Sequence, residues 1–543
     1  MKRFSVLLAF LFSSHFVFAQ STAVSRPKLV VGIVVDQMRW DYLYRYYDRY
    51  GEDGFKRLLN DGFSCENTFI NYLPSYTAVG HSVIFTGSVP AIDGIVGNDW
   101  VDQQTGKSWY CTEDSTVQTV GAAGVAGQMS PHNLLVSTIT DELRLATNFK
   151  SRVVGVSLKD RASILPAGHA ANAAFWFDDA SGHFITSSYY MNEMPQWTKE
   201  FNSQNMAEKL VKKGWTTLYP ISTYKESSPD NVSWEGKFFG EQSPVFPHKM
   251  KDIYQKDHES FRTTPFGNTL TLDFAKAAVN GYDLGNGATT DFLTINCAST
   301  DYVGHKYGPN SIEVEDTYLR LDKDLASFFK FLDQKVGKGN YLLFLTADHG
   351  AAHAIGFMKD HKITADFLQT QSIVTPLNEF YKKKFDVENL ISSFMNYHLS
   401  FDMKKIEENK LDYEAVKKAT VNFLQQQAGI EFAVDIENIG NAPIPEPLKT
   451  DIINGYYSKR CGPIIIIPNP AWFGGAEGST GTTHGSWNAY DTHIPLVFMG
   501  WHIKHGASNR TIYMSDISPT LAALLHIQMP NGNVGNAITE IAK

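Results

Sequence analysis

The apolar residues of this chain fall into two kinds of run. Short, β-branched runs occupy Leu29–Val35 (LVVGIVV), Arg152–Val156 (RVVGV), Asp291–Ile295 (DFLTI), Tyr341–Thr346 (YLLFLT), Ile464–Ile467 and Pro495–Met499. None shows strict in–out alternation, so they predict parallel strands covered on both faces. Between them the period changes. Across Ile312–Leu332, Tyr318, Leu321, Leu325, Phe328 and Leu332 recur at steps of three and four, predicting an amphipathic helix packed on a sheet. Ser518-Pro519 predicts another, with a side-chain N-cap, proline at the first helical position and an apolar stripe through Leu521, Leu524 and Leu525. Strand and helix alternating over the whole length predict an α/β fold, a mainly parallel central sheet sandwiched by helices.

Two stretches break this rhythm. From about Ala170 to Thr264 the chain is rich in aromatic residues, Ser and Pro without periodicity, and from about Phe367 to Ser458 it is charged and reads as helical (KKIEENKLDYEAVKK). Both are read as insertions in one catalytic domain spanning residues 20–543, because candidate site residues lie on either side of each. Residues 1–19 read as a signal peptide: Lys2 and Arg3, an apolar Phe4–Phe12, then Val17-Phe18-Ala19 before Gln20. Ser13, Ser14 and His15 cut the apolar stretch short of the ~20 residues a spanning helix needs. The expectation is a soluble exported protein without a membrane anchor, periplasmic in a Gram-negative cell.

The chemistry-bearing residues cluster after the predicted strands. Asp36 ends the first run in VVDQMR, Asp301 and His305 follow another as D-x-x-x-H, Asp348-His349-Gly350 ends YLLFLTADHG, and His484 lies in GTTHGSWN. Ligands in open α/β sheets gather at strand carboxyl ends, so residues far apart in sequence can converge there. A lone strand-end Asp is usually a turn former and a lone D-H-G says little. Their joint occurrence points to a metal centre, and six oxygen and nitrogen donors suit two Zn²⁺ better than one. In LPSYTAVGH, Thr77 is placed to open a helix, whose positive end favours an alkoxide or phosphoryl group. Taken alone it reads first as a plain N-cap threonine. A neighbouring metal would make its hydroxyl a competent nucleophile.

Composition narrows the classes. Over 543 residues, 48 Lys+Arg against 57 Asp+Glu give a net charge of -9 with no long basic run, which disfavours a nucleic-acid partner or anionic membrane. The four cysteines, Cys65, Cys111, Cys297 and Cys461, have no C-x-x-C spacing and are too few to frame the chain, and Cys297 reads as a small buried hydrophobe.

The order Asp36, Thr77, Asp301-x-x-x-His305, Asp348-His349, His484 resembles the alkaline phosphatase superfamily. Asn98 in GIVGNDW and the segment Ser157-Leu158-Lys159-Asp160-Arg161 resemble its PafA-type, phosphate-irrepressible members, over essentially the whole mature chain. The resemblance implies one Zn²⁺ held by Asp301, His305 and His484, and a second by Asp36, Asp348 and His349. Thr77 would sit on the second as nucleophile, passing through a phosphothreonine. It further implies that Asn98, Lys159 and Arg161 bind the non-bridging phosphoryl oxygens, a set whose charge suits a dianionic monoester. Without it, K-D-R would read as a solvated surface cluster. His81, His169 and His353 are expected in hydrogen bonding or packing rather than on metal, with Asp491 and His493 ordering the loop of His484.

The activity so implied is broad-specificity hydrolysis of small-molecule phosphate monoesters, releasing inorganic phosphate; the oligomeric state stays open, a monomer being compatible. The runner-up is a phosphodiesterase or nucleotide pyrophosphatase of the same superfamily, which Lys159 and Arg161 argue against. A sulfatase lacks its C-x-P-x-R or S-x-P-x-R segment here, and a non-catalytic binding protein would not need Thr77.

Overall fold

The computed structural model describes residues 24–542, so the predicted signal peptide lies outside the described residues. Among the described residues no helix is long and apolar enough to cross a membrane. The central sheet has a parallel core in which Leu29–Val35 pairs with Tyr341–Thr346 on one side and Asp291–Cys297 on the other, followed by Val153–Val156 and Ala173–Asp178. Every side chain of the first four strands is buried, which is why their sequences do not alternate. Antiparallel strands flank this core, among them His183–Ser187 at one end and Leu496–Gly500 with Phe63–Phe69 at the other.

The helix Ile312–Leu332 forms over the predicted span, capped by the Ser311 hydroxyl, which accepts the Val314 N–H at 3.1 Å. Its stripe of Tyr318, Leu321, Leu325, Phe328 and Leu332 is at most 1% exposed, worth roughly 10 kcal/mol of gross apolar burial. The opposite side is not solvated either. Asp316 accepts from Trp215 Nε1 at 2.8 Å and from the Leu218 N–H at 2.6 Å, binding the aromatic 170–264 segment to the helix. Trp176 and Trp215 of that segment are core residues.

Four expectations change. The Ile464–Pro468 strand belongs not to the central sheet but to a separate antiparallel one, between His398–Phe401 and Ile430–Asp435, with Ile391–Met395 at its edge. An unbroken apolar run reports burial on both faces and says nothing of which sheet does the burying. The strand expected at Pro495–Met499 runs Leu496–Gly500, antiparallel to Tyr341–Thr346 rather than parallel. The 367–458 segment carries strands as well as helices, and its hairpin turns at Asn396-Tyr397, where both residues have positive φ (55° and 64°), the geometry of a tight two-residue turn. Tyrosine at the second place hid that turn. Finally, Ser518-Pro519 does not start its helix. The helix is Ile517–Leu525 behind Asp516, with proline tolerated because first-turn N–H groups need no intrahelical partner.

The helix Glu446–Gly455 carries a stability prediction. Burial alone raises the Asp451 carboxyl from 3.8 to about 7. The folded chain thus keeps a proton that the unfolded chain loses, and the resulting cost is absent below pH 3.8, grows up to about pH 7 and then stays constant. Asp451→Asn, neutral at every pH, is expected to gain up to roughly 4 kcal/mol over wild type near pH 8, the gain shrinking toward zero near pH 4. Urea melts across that range check it, and a pH-independent difference would count against burial as the cause.

Candidate active site

Four neighbouring parallel strands deliver the site. Asp348 follows Tyr341–Thr346, Asp36 follows Leu29–Val35, Asp301 lies in the helix Ser299–Tyr307 behind Asp291–Cys297, and Lys159 follows Val153–Val156. The carboxyl ends of parallel strands all point one way, so residues hundreds of positions apart meet. Thr77 is the first residue of the helix Thr77–Thr86, with Tyr76 at the cap position, so Thr77 is not itself the N-cap. Gly80 lets that helix run against the Asp348 backbone, where a Cβ would lie 2.4 Å from the Asp348 carbonyl oxygen.

The side chains meet in two triads able to hold a metal ion, Asp36 with Asp348 and His349, and Asp301 with His349 and His484. His349 sits between them, stacked on His484 with centroids 3.4 Å apart. His305 reaches Asp301 from another side, its Nε2 3.1 Å from Asp301 Oδ1. All three imidazoles donate Nδ1–H to a main-chain carbonyl: His305 to Thr482 at 2.9 Å, His349 to Gly350 at 3.0 Å and His484 to Ser75 at 2.7 Å. His349 and His484 therefore turn an Nε2 lone pair toward carboxylate oxygens, at 3.3 Å from Asp348 and 3.8 Å from Asp301, whereas burial of His305 is outweighed by Asp301, 3.1 Å from its Nε2, which raises its pKa. Lone pair facing lone pair is repulsive unless a cation lies between. Asp36 Oδ1 and Asp348 Oδ2 are buried without a hydrogen-bond partner, which a cation would supply.

The electrostatics set His349 and His484 apart from His305. Burial lowers the His349 pKa to about 4, and burial, with the His349 and His305 rings close by, holds that of His484 well below the usual histidine value, so both are neutral lone-pair donors at neutral pH. Burial and the nearby Asp36 charge raise the Asp348 carboxyl. At Asp301 burial is outweighed by His305 and Lys159, which hold its carboxyl well below the ordinary range.

Lys159 is not a surface charge. It is 1% exposed, and its Nζ donates to Asp36 Oδ2 at 2.8 Å and to Asp301 Oδ2 at 2.6 Å, one carboxylate from each triad. Burial opposes its charge, but those two carboxylates overcome it and raise its pKa. Arg161 donates from Nη1 to Tyr110 OH at 3.0 Å, while its Nε is buried without a partner. Asn98 accepts the Ala78 N–H on Oδ1 at 3.0 Å, which fixes the amide and leaves its NH₂ free to donate. Thr77 Oγ1 lies 3.4 Å from His349 Nε2.

Around this set, His81 holds Thr77 O at 2.9 Å through Nδ1, with that atom 3.4 Å from Asp348 Oδ2. His169 bonds Asp141 and the Leu134 carbonyl, and His353 bonds Asn310 and Arg39. Asp491 orders the His484 loop by accepting the Ser486 N–H at 2.8 Å and its hydroxyl at 2.6 Å. His493 does not join it and bonds the Glu66 carbonyl instead. Sequence reasoning missed Gln37. Its main-chain N–H donates to Asp348 Oδ1 at 3.1 Å and its side chain to Asp301 Oδ1 at 2.7 Å, from a left-handed backbone at φ 61°. Its place directly after Asp36 was the signal available.

The four cysteines are all buried and unpaired, in line with the reading of Cys297 as a small hydrophobe.

Known proteins share this chain's sequence and shape. Residues 30–490 match the family described as type I phosphodiesterase / nucleotide pyrophosphatase. Alkaline phosphatase PafA of Elizabethkingia meningoseptica is 55% identical over 98% of each chain. A Myroides odoratus protein named a calcium-transporting ATPase is 53% identical over 96% of this chain and 95% of its own. A crystal structure of alkaline phosphatase PafA superposes with a TM-score of 0.94 at 55% identity, covering 96% of this chain and 100% of that one. Near-complete coverage on both sides, together with the shared fold, means that the chain belongs to the type I phosphodiesterase / nucleotide pyrophosphatase family and, within it, to the PafA-type alkaline phosphatases.

Proposed function

We propose that the chain is an exported, zinc-dependent phosphate monoester hydrolase of broad specificity in which Thr77 is the nucleophile. The observation that carries this reading is the convergence of the neutral His349 and His484 imidazoles and buried carboxylates, in two groups able to hold a metal ion, beside the Thr77 hydroxyl. Two Zn²⁺ fit the donor set. Asp36, Asp348 and His349 would hold one and Asp301, His305 and His484 the other, with His349 placed to answer to either. Bound there, they would supply positive charge that lowers the Thr77 hydroxyl pKa and stabilises the departing oxygen.

The chain's own residues do the rest. The N-terminal N–H groups of the Thr77–Thr86 helix favour negative charge at Thr77. Asn98 offers its free NH₂, Lys159 a buried ammonium and Arg161 an unpartnered Nε–H, together matching the oxygens of a dianionic phosphoryl group. Thr77 would attack phosphorus as the bond from phosphorus to the ester oxygen breaks, its proton leaving to solvent and the departing alkoxide taking one up to leave as the alcohol, and water would release inorganic phosphate from the phosphorylated Thr77 in a second displacement. The terminal phosphoryl group of a nucleoside triphosphate carries the same charge and is an expected substrate.

The family match favours a second reading, a phosphodiesterase or nucleotide pyrophosphatase. A diester phosphoryl carries one charge fewer and an extra substituent, so Lys159 and Arg161 would be poorly used. The deciding measurement is kcat/KM for 4-nitrophenyl phosphate against bis(4-nitrophenyl) phosphate with zinc-loaded mature protein. A monoester preference of about a hundredfold or more is expected from the charge-assisted contacts. A diester preference would overturn the monoesterase reading.

A further inference from the structure

A cavity of about 230 Å³ is walled by Tyr76, Leu368, Phe394, Met395, Tyr397 and His484. Two of the segments that build the active site border it. His484 belongs to the Asp301–His349–His484 triad, and Tyr76 directly precedes Thr77 while meeting the His484 ring edge-on at 5.7 Å. Asn396, also on the wall, donates Nδ2–H to the Asp99 carbonyl at 2.7 Å, tying the hairpin tip to the segment of Asn98. Lys159 and Arg161 do not line it. The cavity is therefore next to the reacting centre but apart from the charged groups assigned to the phosphoryl oxygens.

Its lining describes an occupant. Leu368, Phe394 and Met395 offer an apolar surface, and the rings of Tyr76 and Tyr397 suit the face or edge of another ring. A dry cavity of roughly 150 Å³ already takes a benzene ring, so this one has room for a ring with substituents. The polar groups of Thr370 and Thr483 can meet a hydroxyl or ring heteroatom.

We propose that this cavity is a leaving-group pocket, selecting monoesters whose alcohol carries an aromatic ring. It rests on the monoesterase reading and adds to it: phosphoryl recognition stays independent of the alcohol, while aromatic alcohols gain binding energy that small aliphatic ones forgo. No bond changes in the pocket itself. The accessory sheet, through Phe394 and Met395, thereby sets specificity although it contributes nothing to phosphoryl binding.

The test compares benzyl phosphate with ethyl phosphate on the zinc-loaded protein, since both release alkoxides of similar basicity. Wild type is expected to favour benzyl phosphate by about tenfold or more in kcat/KM, the scale of a filled apolar subsite. Met395→Trp, which fills the cavity, should remove most of that preference and leave ethyl phosphate within about twofold of wild type. Phe394→Ala, which strips the wall without adding bulk, should move the ratio the same way. A wild-type ratio near one overturns the pocket, as does a ratio unchanged in both variants when their thermal melts match wild type. Failure of wild type to hydrolyse either ester overturns the monoesterase reading and the pocket with it, and is told apart by the ethyl phosphate rate.

Discussion

Thr77→Ala is expected to lower kcat for phosphate monoesters by about four to six orders of magnitude while zinc content stays that of wild type. The two readouts separate because Asp36, Asp348 and His349 would still hold the second zinc without the Thr77 hydroxyl. Thr77 touches the triads only through the 3.4 Å approach of Oγ1 to His349 Nε2, whereas His349, His305 and His484 are each oriented by their own main-chain hydrogen bond. Thr77 precedes no capping bond, since the helix has no side-chain cap, so truncation to alanine should cost little stability. Thr77→Ser should keep turnover. Rapid-quench capture of a phosphorylated residue in the wild type, absent from the alanine variant, would tie the loss to the nucleophile. Turnover in Thr77→Ala within about tenfold of wild type would mean that water attacks directly and that the hydroxyl only fills space.

The second large effect concerns Lys159, whose removal should act differently on the metal-free and the metal-loaded protein. Without metal, its ammonium is the charge lying between Asp36 and Asp301, both almost fully buried. Leaving a buried charge uncompensated costs about 3–5 kcal/mol, so Lys159→Ala should destabilise the chelated protein by that amount. Loaded with zinc, the same carboxylates would be neutralised by metal, and the loss should fall below about 1 kcal/mol. Catalysis then reports the other role. A charge-assisted contact to the phosphoryl group is worth about 1.5–3 kcal/mol, so monoester kcat/KM should drop roughly 10- to 100-fold. The diester, with less charge to meet, should lose less. Denaturant melts with and without chelator, beside both esters, check the scheme. Equal destabilisation in both metal states would make Lys159 a purely structural counter-ion.

Much of this is legible in the sequence, for a physical reason. Burial on both faces of a parallel strand forces an unbroken β-branched run, so Leu29–Val35 and Tyr341–Thr346 appear in the structure with the bounds their sequences suggest. Amphipathic periodicity is likewise a local property, and Ile312–Leu332 follows from it residue for residue. The convergence of Asp36, Asp301 and Asp348 was readable as well, because they follow predicted strands and strand ends are where a parallel sheet presents side chains. The chain also carried, in Asn98 and Ser157 to Arg161, residues that mark its relatives.

Other features depended on which distant segments meet, and that only the tertiary structure decided. Lys159 looks like any solvated lysine until Asp36 and Asp301 close over it from two neighbouring strands. Gln37 becomes a positioning group because a left-handed backbone turns its amide to one carboxylate and its side chain to another. Ile464–Pro468 pairs in the accessory sheet because its partners are Ile430–Asp435 on one side and His398–Phe401 of the hairpin on the other, which its own composition does not specify. His349 lies between both triads because its loop is hydrogen-bonded to that of His484, the Ala352 N–H donating to the Thr483 carbonyl. Hydrophobic pattern is written along the chain, one residue after the next, and so it can be read there. Electrostatic partnership is set by distance in space, and the sequence alone does not contain it.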